Sequence, residues 1–557
     1  DAAIKALIKN LENSINGNAS KCDDFYEFAC SNYHKSNTNA TADLKTEANE
    51  ELVGLIENPS NADFSAYAYQ QKAKVFFDAC KSGSGGKADE ETVINATIQE
   101  LEDFKGWPLI TESWNGSVNY GFLFGNLYRS YGTVTLFQPA VTTDNRLGLN
   151  PPKAFGLPLE DYSKPDKVNA YKKKIKAYAD KLSVYTGSSK ATDTDITALV
   201  DFEAVLAGVL RGKSSIFQAT ISKIQDDTNL QIVLPSDYFT QIFHATAESI
   251  DHIGVTVGLG QEVLTRLSTK LRLQIGVNPK LPINFALWAL IRQRLDQFWD
   301  TPTVTPAVAV AADDAACIGK LADVMPLAVE KLLVDKLMPK DEKIYYTTLF
   351  TYIKDAFKDE IRETPWLDSN SKSKLFQRLY SLAVSMGVPE GVDDDFINNY
   401  YDSLDIKSGD GWYEIQERAN IFKTVNELNS LIPGPGANKY VQPPVDVDLL
   451  GWYNEDSNSA TISAYALHDF LFNVKYPYAV QFAGLGFHLA RTMAQGFFFG
   501  NASVLSPASQ QSFDSMLNCL KDEYNKYTLP TFHGTTGFGR TSRENFADNL
   551  GLQVAAR

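Results

Sequence analysis

The sequence is poor in the features that mark membrane-spanning, nucleic-acid-binding and zinc-ribbon proteins. Its 557 residues include only five cysteines and six histidines and no Cys-x-x-Cys pair, which argues against a zinc ribbon or a thioredoxin-like redox site. No run of about 18 apolar residues occurs, so we predict no membrane-spanning helix in this chain. Basic residues number 52 against 68 acidic ones, and the formal net charge of −16 argues against nucleic acid as a partner.

Apolar and aromatic side chains are plentiful, at 44% and 12% of the residues, which is enough for a large packed core. Apolar residues recur at helical spacing over four long segments, whereas only two runs look like strands. The helical segments are 1–15, 168–185, 345–362 and 371–386, and the strand-like runs are 133–141 and 230–235. The sequence therefore predicts a mainly α-helical fold of the α+β type with a few short strands.

Five Asn-x-Ser/Thr sequons, none with proline in the middle, could accept N-linked glycans in a secreted protein. They begin at Asn18, Asn39, Asn95, Asn115 and Asn501. Together with the few, scattered cysteines they favour a secreted, extracellular glycoprotein over chance matches to a short pattern. The odd number of cysteines leaves at least one thiol unpaired or bonded outside this chain.

Four short motifs follow one another along the chain in an order and spacing that is more specific than any one of them. They are CDDFYEFAC at 22–30, FGLP at 155–158 with DY at 161–162, WLD at 366–368 with SK at 371–372 and MGVP at 386–389, and ENFADN at 544–549. This series closely resembles the landmarks of the neprilysin-like zinc endopeptidases, peptidase family M13. The resemblance covers essentially the whole chain.

The resemblance implies a two-lobed, mainly α-helical architecture of the neprilysin type, whose lobes enclose a central cavity. A thermolysin-like (pseudo)catalytic lobe would comprise residues 1–45 and 405–557, with its C-terminal part missing. An inserted helical lobe would comprise residues 46–404. Members of this family are secreted or anchored at the cell surface, so the resemblance also implies an extracellular location, as a secreted protein or the ectodomain of a surface protein.

The family's reaction uses one zinc ion, held by the two histidines of a His-Glu-x-x-His motif and by a glutamate from a second helix. Residues four apart face the same way on a helix, which brings both imidazoles to the ion with the general-base glutamate beside them. In this sequence the resemblance places Glu544 at the third ligand. It places Asp548 at the carboxylate that orients a ligand histidine.

No His-Glu-x-x-His motif occurs here, and no two histidines are four residues apart. Anchored by GLG at 484–486 and GF at 496–497, the resemblance places Arg491, Thr492 and Gln495 at the first histidine, the glutamate and the second histidine. The motif is thus replaced by RTMAQ. Arginine has no lone pair for zinc, threonine is no base at neutral pH, and a glutamine amide is a poor zinc ligand. We therefore expect zinc to be lost and predict no other cofactor.

Two alternatives concern the side chains near this segment. His488 is either a stray metal ligand or, as we favour, a partly buried helical histidine bonded to a backbone carbonyl. Without a cation, Glu544 and Asp548 are expected to be buried carboxylates that need a positive partner. We predict that the Arg491 guanidinium pairs with Glu544, Asp548 or both. The alternative is that Arg491 points into a solvent-filled cleft.

The substrate-binding segment is also altered. The resemblance places LGWY at 450–453 where family members carry Asn-Ala-x-Tyr, whose asparagine and alanine bind the substrate backbone. Leu450 cannot form the hydrogen bonds of an asparagine side chain. This second change, like the loss of the zinc motif, points away from proteolysis.

The resemblance also implies a disulfide pattern, with Cys80 bonded to Cys317. Family members continue beyond the position of Arg557, and cysteines in that segment would pair with Cys22, Cys30 and Cys519. The partner of these three would be a missing C-terminal segment of this protein or a separate, disulfide-linked chain. The alternative is that all three thiols are free.

Together these features suggest a secreted, neprilysin-like pseudopeptidase that is catalytically inactive. It would act as a binding or scaffold subunit beside an active neprilysin-like relative. The alternative is an active zinc metalloendopeptidase with an unorthodox ligand set, or with ligands supplied by a partner. A third possibility is a protein that sequesters peptides without cutting them.

Overall fold

The structure is a computed structural model. It describes residues 2–34, 40–57, 67–82, 90–112, 114, 119–142, 144–152, 154–211, 215–296, 314–338, 342–389, 391–432, 450–455, 457–468, 471–499, 504–526 and 541–557. No helix in these ranges is both long and apolar enough to cross a membrane.

Helices dominate the fold. In chain order they are α1 Ala2–Ser14, α2 Phe25–His34, α3 Ala40–Glu57, α4 Ala68–Ser82, α5 Glu90–Glu102, α6 Tyr120–Tyr131, α7 Pro165–Thr186, α8 Asp193–Leu210, α9 Ile221–Asp226, α10 Ser236–Phe243, α11 Ala247–Ile250, α12 Gln261–Val277, α13 Leu281–Leu295, α14 Asp314–Val324, α15 Pro326–Leu337, α16 Lys343–Glu363, α17 Ser369–Tyr380, α18 Asp394–Tyr400, α19 Trp412–Asn429, α20 Tyr478–Gln481, α21 Phe487–Phe499, α22 Pro507–Tyr524 and α23 Ser542–Ala556. The predicted mainly α-helical fold class is confirmed.

The strands form two small sheets. They are β1 Gln138–Val141, β2 Leu147–Asn150, β3 Phe217–Thr220, β4 Gly254–Val257, β5 Ala383–Met386, β6 Gly451–Asn454 and β7 Ser459–Ile462. The first sheet has the order β1-β2-β4-β3, with β2 and β4 parallel and the other pairs antiparallel. The second has the order β5-β7-β6, in which β5 and β7 are parallel and β6 is an antiparallel edge strand.

Two sequence-based expectations about these elements are wrong. The run at 230–235 forms successive turns, because Val233 and Leu234 both donate their backbone N–H to the carbonyl of Leu230. These three side chains are buried, so the run is apolar without being a strand. The helix expected over 371–386 ends at Tyr380, and the remainder enters β5, where Ala383 pairs with Ser459.

The chain folds as two compact units. The first comprises Asp1–Phe77, Asp313–Asp402 and Gln442–Arg557, and the second Asp78–Ala312 and Ser403–Val441. Residues 46–77 and 313–402, which the resemblance assigns to the inserted lobe, belong to the same unit as the two chain ends. The two lobes are defined by the family resemblance, whereas the two units are defined by how compactly the chain packs. The division into units therefore does not test the lobe boundaries, which stay a prediction.

The second unit is organised around α13, which is buried on all sides and therefore carries apolar residues around its whole circumference. Its one deeply buried charge, Arg294, is 2% exposed and pairs with Glu100 at 3.0 Å and with Glu417. An unpaired charge at such a buried position would destabilise the fold, and the two glutamates prevent this by pairing with Arg294. The three residues thereby link α5, α13 and α19 inside the second unit.

In the first unit, α21 is the central helix. It packs against α23, β6 and α16. Its buried face carries Leu489, Ala490, Met493, Ala494 and Phe497, and this helical spacing explains why the segment folds against its neighbours. A turn of π-helix over Phe482–Gly486 leads into α21. Gly484 is needed there, since a Cβ would lie 2.0 Å from the carbonyl oxygen of Leu471.

Candidate functional site

The substituted motif lies on α21, facing α23 and β6. The Arg491 side chain, 12% exposed, reaches α23 and pairs through its Nε with Oδ1 of Asp548 at 2.5 Å. Gly551, one turn further along α23, permits this close approach, because a Cβ there would lie 3.1–3.2 Å from the Arg491 backbone. The prediction that Arg491 pairs with a carboxylate of α23 is therefore confirmed, and the partner is Asp548.

The carboxylates are less buried than the sequence led us to expect. Glu544 is exposed, and the Asp548 side chain retains 47% of its accessible surface. In the first turn of α23 it is Arg543 that contacts α21, where its guanidinium lies 5.2 Å from the centre of the Phe499 ring, whereas Glu544 faces solvent. The alternative in which Arg491 points into a solvent-filled cleft is wrong, because its side chain is largely buried.

Thr492, at the predicted position of the catalytic glutamate, is fully buried. Its hydroxyl donates a hydrogen bond to the backbone carbonyl of His488 at 2.8 Å. Strand β6 lies directly against it, since a Cβ on Gly451 would be 2.4 Å from the Thr492 Oγ1. A hydroxyl held in this way cannot accept a proton from an attacking water.

The predicted counterpart of the substrate-binding segment forms the edge strand β6. Leu450, immediately before it, is buried and has a backbone φ of 49°, a left-handed conformation that is unusual for leucine. Its side chain therefore packs inside the protein and offers no hydrogen bond at the strand edge. Tyr453 lies over α21 at Gly496, where a Cβ would lie 2.1 Å from the tyrosine ring.

His488 lies one turn before Arg491 on α21. Burial, and then the charge of the Arg491 guanidinium, lower the pKa of His488 to about 4, so the imidazole is neutral at physiological pH. The expected bond to a backbone carbonyl is not made by Nδ1, which is buried and has no hydrogen-bond partner. Arg491 Nη1 is likewise buried without a partner.

The side chains at this site do not fit a zinc ion. A guanidinium has no lone pair, and its charge repels a divalent cation from the place where the resemblance puts the first ligand. Gln495, at the predicted second histidine, is half-buried and offers only an amide. Across the described ranges, no group of three or more His, Cys, Asp or Glu side chains is arranged to hold a metal ion.

Cysteines and sequons are the remaining residues predicted from the sequence. Cys80 and Cys317 are disulfide-bonded, as the resemblance implies, and Cys22, Cys30 and Cys519 are free. Of the sequon asparagines, Asn18 and Asn95 are exposed. The others, Asn39, Asn115 and Asn501, lie outside the described residues. Glycosylation, and the bonding of the three free cysteines to a further segment or chain, stay predictions.

Two deeply buried carboxylates were not predicted from the sequence. Glu330 of α15 accepts hydrogen bonds from the Ser463 hydroxyl and the Ala464 N–H, both at 2.6 Å, and so fixes the turn after β7. In the second unit, Glu203 accepts from the Tyr162 hydroxyl at 2.7 Å. Burial raises the pKa of Glu330 and of Glu203 to about 7. No local pattern marks them, because their neighbours in sequence are ordinary helix residues.

Comparison with known proteins identifies the family of this chain. Residues 21–389 and 451–557 match the two models described as peptidase family M13. Neprilysin-11 of Caenorhabditis elegans is 22% identical over 98% of this chain and 68% of its own length.

Solved structures have the same fold. The zinc metalloprotease Zmp1 of Mycobacterium tuberculosis, in complex with an inhibitor, aligns with a TM-score of 0.62 and 19% identity over 97% of this chain and 85% of that one. A Haemonchus galactose-containing glycoprotein complex aligns with a TM-score of 0.60 and 17% identity over 99% of this chain and 84% of that one. The matches to the family models span most of the sequence, and this chain belongs to peptidase family M13.

Proposed function

We propose that this protein is a catalytically inactive, secreted member of its family that acts as a binding or scaffold subunit. The observation that carries the proposal is the ion pair between Arg491 on α21 and Asp548 on α23. These two helices are the ones that the family's chemistry would join through zinc. Here a guanidinium and a carboxylate supply the attraction between them.

The charge at this position supports the proposal. A zinc ligand must present a lone pair, whereas Arg491 presents a permanent positive charge next to the neutral imidazole of His488. Asp548, which the resemblance assigns to orienting a ligand histidine, is engaged by the arginine instead. A divalent ion would therefore have to displace an existing ion pair and then approach a fixed cation.

The residue at the general-base position supports it independently. Hydrolysis requires a group that takes a proton from water, and a carboxylate on the zinc helix is the family's solution. Thr492 is fully buried, and its hydroxyl is bonded to a backbone carbonyl. Restoring metal binding alone would therefore leave the second requirement of the reaction unmet.

The scaffold role rests on features outside this site. The sequons favour secretion, and the exposed thiols of Cys22 and Cys519 could bond to another chain. The related fold in the Haemonchus glycoprotein complex is a precedent for such a protein inside an assembly. An active neprilysin-like relative is the partner that we propose.

The decisive experiment measures zinc per chain in the natively purified protein after dialysis against metal-free buffer. We expect well under one zinc per chain and no hydrolysis of a fluorogenic peptide library. One tightly held zinc per chain would overturn the proposal and favour the alternative of an active endopeptidase with unorthodox or partner-supplied ligands.

Two designed variants separate metal binding from catalysis. The double variant R491H/Q495H restores both imidazoles four residues apart, and we expect it to gain zinc without gaining hydrolysis. Adding Thr492→Glu supplies the base, and we expect hydrolysis only in this triple variant, at a rate lowered by the substrate hydrogen bonds that Leu450 does not make. Hydrolysis by the double variant would show that the missing carboxylate is not the barrier we describe.

The scaffold role is tested by the mass of the native particle under oxidising and reducing conditions. We expect a disulfide-linked assembly that contains a second chain of the same family, identified by mass spectrometry. A particle with the mass of the single chain under both conditions would contradict the scaffold role, and would leave the loss of catalysis to be decided by the zinc measurement.

A further inference from the structure

A pocket in the first unit lies beside the candidate site without belonging to it. It is bounded by α16, α22, α23 and the end of α21, and its volume is about 190 Å³. Its walls are mainly apolar, and four of the lining side chains are aromatic, namely Phe357, Trp366, Phe498 and Phe546. None of the side chains at the substituted zinc motif lines it.

Helix α23 separates the pocket from the Arg491–Asp548 pair. The residues of α23 that line the pocket are Phe546, Asn549, Leu550 and Gln553, which follow the spacing of one helical face. Asp548 and Gly551 lie on the opposite face, against α21. The two sites are therefore back to back on one helix, and a ligand in the pocket would not touch the ion pair.

Three of the polar side chains that line the pocket, Thr364, Asn549 and Glu360, already have hydrogen-bond partners within the protein. Asn549 donates its side-chain amide to the Tyr524 hydroxyl at 2.8 Å and to the Asn545 carbonyl at 2.7 Å. The Glu360 carboxylate accepts from Arg557 Nε at 2.9 Å. Among the described residues, no lining side chain has a buried polar atom without a partner. Water or a charged ligand would therefore find few partners here, whereas an apolar ligand would leave none of these groups unpaired.

The aromatic walls favour another ring. Trp366 stacks on Phe513 at a centroid distance of 5.8 Å, and Phe498 meets Phe546 edge to face at 5.2 Å. Such a cluster offers both ring faces and ring edges to an incoming aromatic group. In size, an apolar cavity of about 150 Å³ in another protein stays dry and binds benzene. A pocket of 190 Å³ therefore accommodates one ring with a small substituent or a fused five-membered ring.

We propose that this pocket is a binding site for a single aromatic ring, a site separate from the one that defines the family. The exposed Gln553 at its edge can bond one polar substituent of the ligand. A free small aromatic molecule and the aromatic side chain of a bound peptide share this chemistry. A pocket for a free molecule would bind only an unattached ring, whereas a pocket for a peptide side chain would also bind a ring that carries a peptide backbone.

The experiment titrates the full chain with indole and, separately, with N-acetylphenylalanine methylamide, using ligand-observed NMR or calorimetry. We expect saturable binding of indole with a Kd on the order of 0.1–1 mM. Binding of indole alone assigns the pocket to a free molecule, and binding of both probes assigns it to a ring presented on a peptide. Binding of neither probe overturns the proposal.

Leu520→Trp is the blocking variant, because Leu520 lines the pocket from α22 and is only half-buried. We expect it to weaken binding at least tenfold. The matched control is Leu552→Trp on α23, whose side chain is 60% exposed and does not line the pocket, and we expect its binding to be unchanged. If L520W does not fold, Met516→Phe is the second blocking variant, since Met516 also lines the pocket. Equal binding by the wild-type protein and the folded blocking variant would place the ligand elsewhere and overturn the proposal.

Discussion

At the residue scale, Arg491 and Asp548 are unequal partners. The arginine is 12% exposed and the aspartate 47%, so the arginine depends on the pair more than the aspartate does. We expect Asp548→Asn to lower the free energy of unfolding by about 1–2 kcal/mol, because it leaves a largely buried cation without its counter-charge. The measurement is urea-induced unfolding followed by circular dichroism.

The matched control for this variant is Glu544→Gln, one turn earlier on α23. Glu544 is exposed, so we expect a change of less than about 0.5 kcal/mol. Equal effects of the two variants would contradict the assignment of the ion pair to Asp548.

The buried carboxylates predict how stability depends on pH. The pKa of Glu330 is raised to about 7 in the folded protein, whereas the unfolded chain has an ordinary carboxyl pKa. The folded state therefore binds the proton more tightly, and the stabilisation present at low pH is lost as pH rises toward and through 7. His488 acts in the opposite sense, because its pKa is lowered to about 4, and its effect is confined to pH values below about 6.5.

Stability compared at pH 6.5 and pH 8 consequently reports mainly on the carboxylates. Glu203 behaves as Glu330 does, and each contributes a loss of about 1 kcal/mol over this interval. We expect Glu330→Gln to remove its share of the loss, since an amide can still accept the Ala464 N–H and bond the Ser463 hydroxyl. Calorimetry at both pH values checks this. A variant whose pH dependence matches that of the wild-type protein would show that Glu330 is not protonated in the folded state.

The sequence could identify Arg491 and Asp548, because flanking glycines and the ENFADN motif fix their positions relative to a known pattern. It could not identify Glu203 or Glu330. A glutamate on a helix looks alike in sequence whether it faces solvent or the interior, and burial of Glu330 depends on Ser463, more than a hundred residues away. What the sequence could not reveal is therefore what depends on long-range packing.

At the scale of secondary-structure elements, α21 and β6 meet where the ring of Tyr453 packs against the backbone of Gly496. A Cβ on Gly496 would lie 2.1 Å from the ring of Tyr453. An alanine side chain at this position cannot rotate away from the ring. We expect Gly496→Ala to destabilise the protein by about 1–3 kcal/mol, because the strand must move away from the helix. Thermal unfolding measured by calorimetry gives the comparison.

Gly319 in α14 is the control for this substitution. A Cβ there meets nothing within 4 Å, so alanine gains helix propensity without a clash. We expect Gly319→Ala to be neutral or stabilising by up to about 1 kcal/mol. Similar destabilisation by both variants would mean that the contact with Tyr453 is not what makes Gly496 necessary.

Helices were predictable where one apolar stripe runs along a long segment, as in α7 and α16, whose bounds enclose the predicted ranges. The prediction failed over 230–235, where consecutive apolar residues are buried by turns that point several ways into the core. It also failed where α17 gives way to β5, because the apolar pattern continues while the backbone changes from helix to strand. A pattern of apolar residues indicates that a segment is buried. It indicates whether the segment is a helix or a strand only when the segment is long.

At the scale of the whole molecule, fold and chemistry have separate determinants. The family fold is specified by landmarks spread along the chain, such as Asp368, which begins α17 by accepting from the Ser371 N–H. Hydrogen bonds from Ser506 and Ser371 hold the pKa of Asp368 at about 2, so this landmark stays ionised under physiological conditions. Of these landmarks, only ENFADN includes positions that the resemblance assigns to the zinc site, Glu544 and Asp548. A chain can therefore keep the architecture of a peptidase while the few positions that perform hydrolysis take other residues.

The contact between Arg491 and Asp548 also bears on how this protein is made. An ion pair between two side chains is encoded in the gene, so it forms as soon as both helices have folded. The ion pair needs no metal ion to form, and a chelator cannot break it. This junction of the two helices is therefore indifferent to metal starvation, a condition that removes the bound ion from a zinc site.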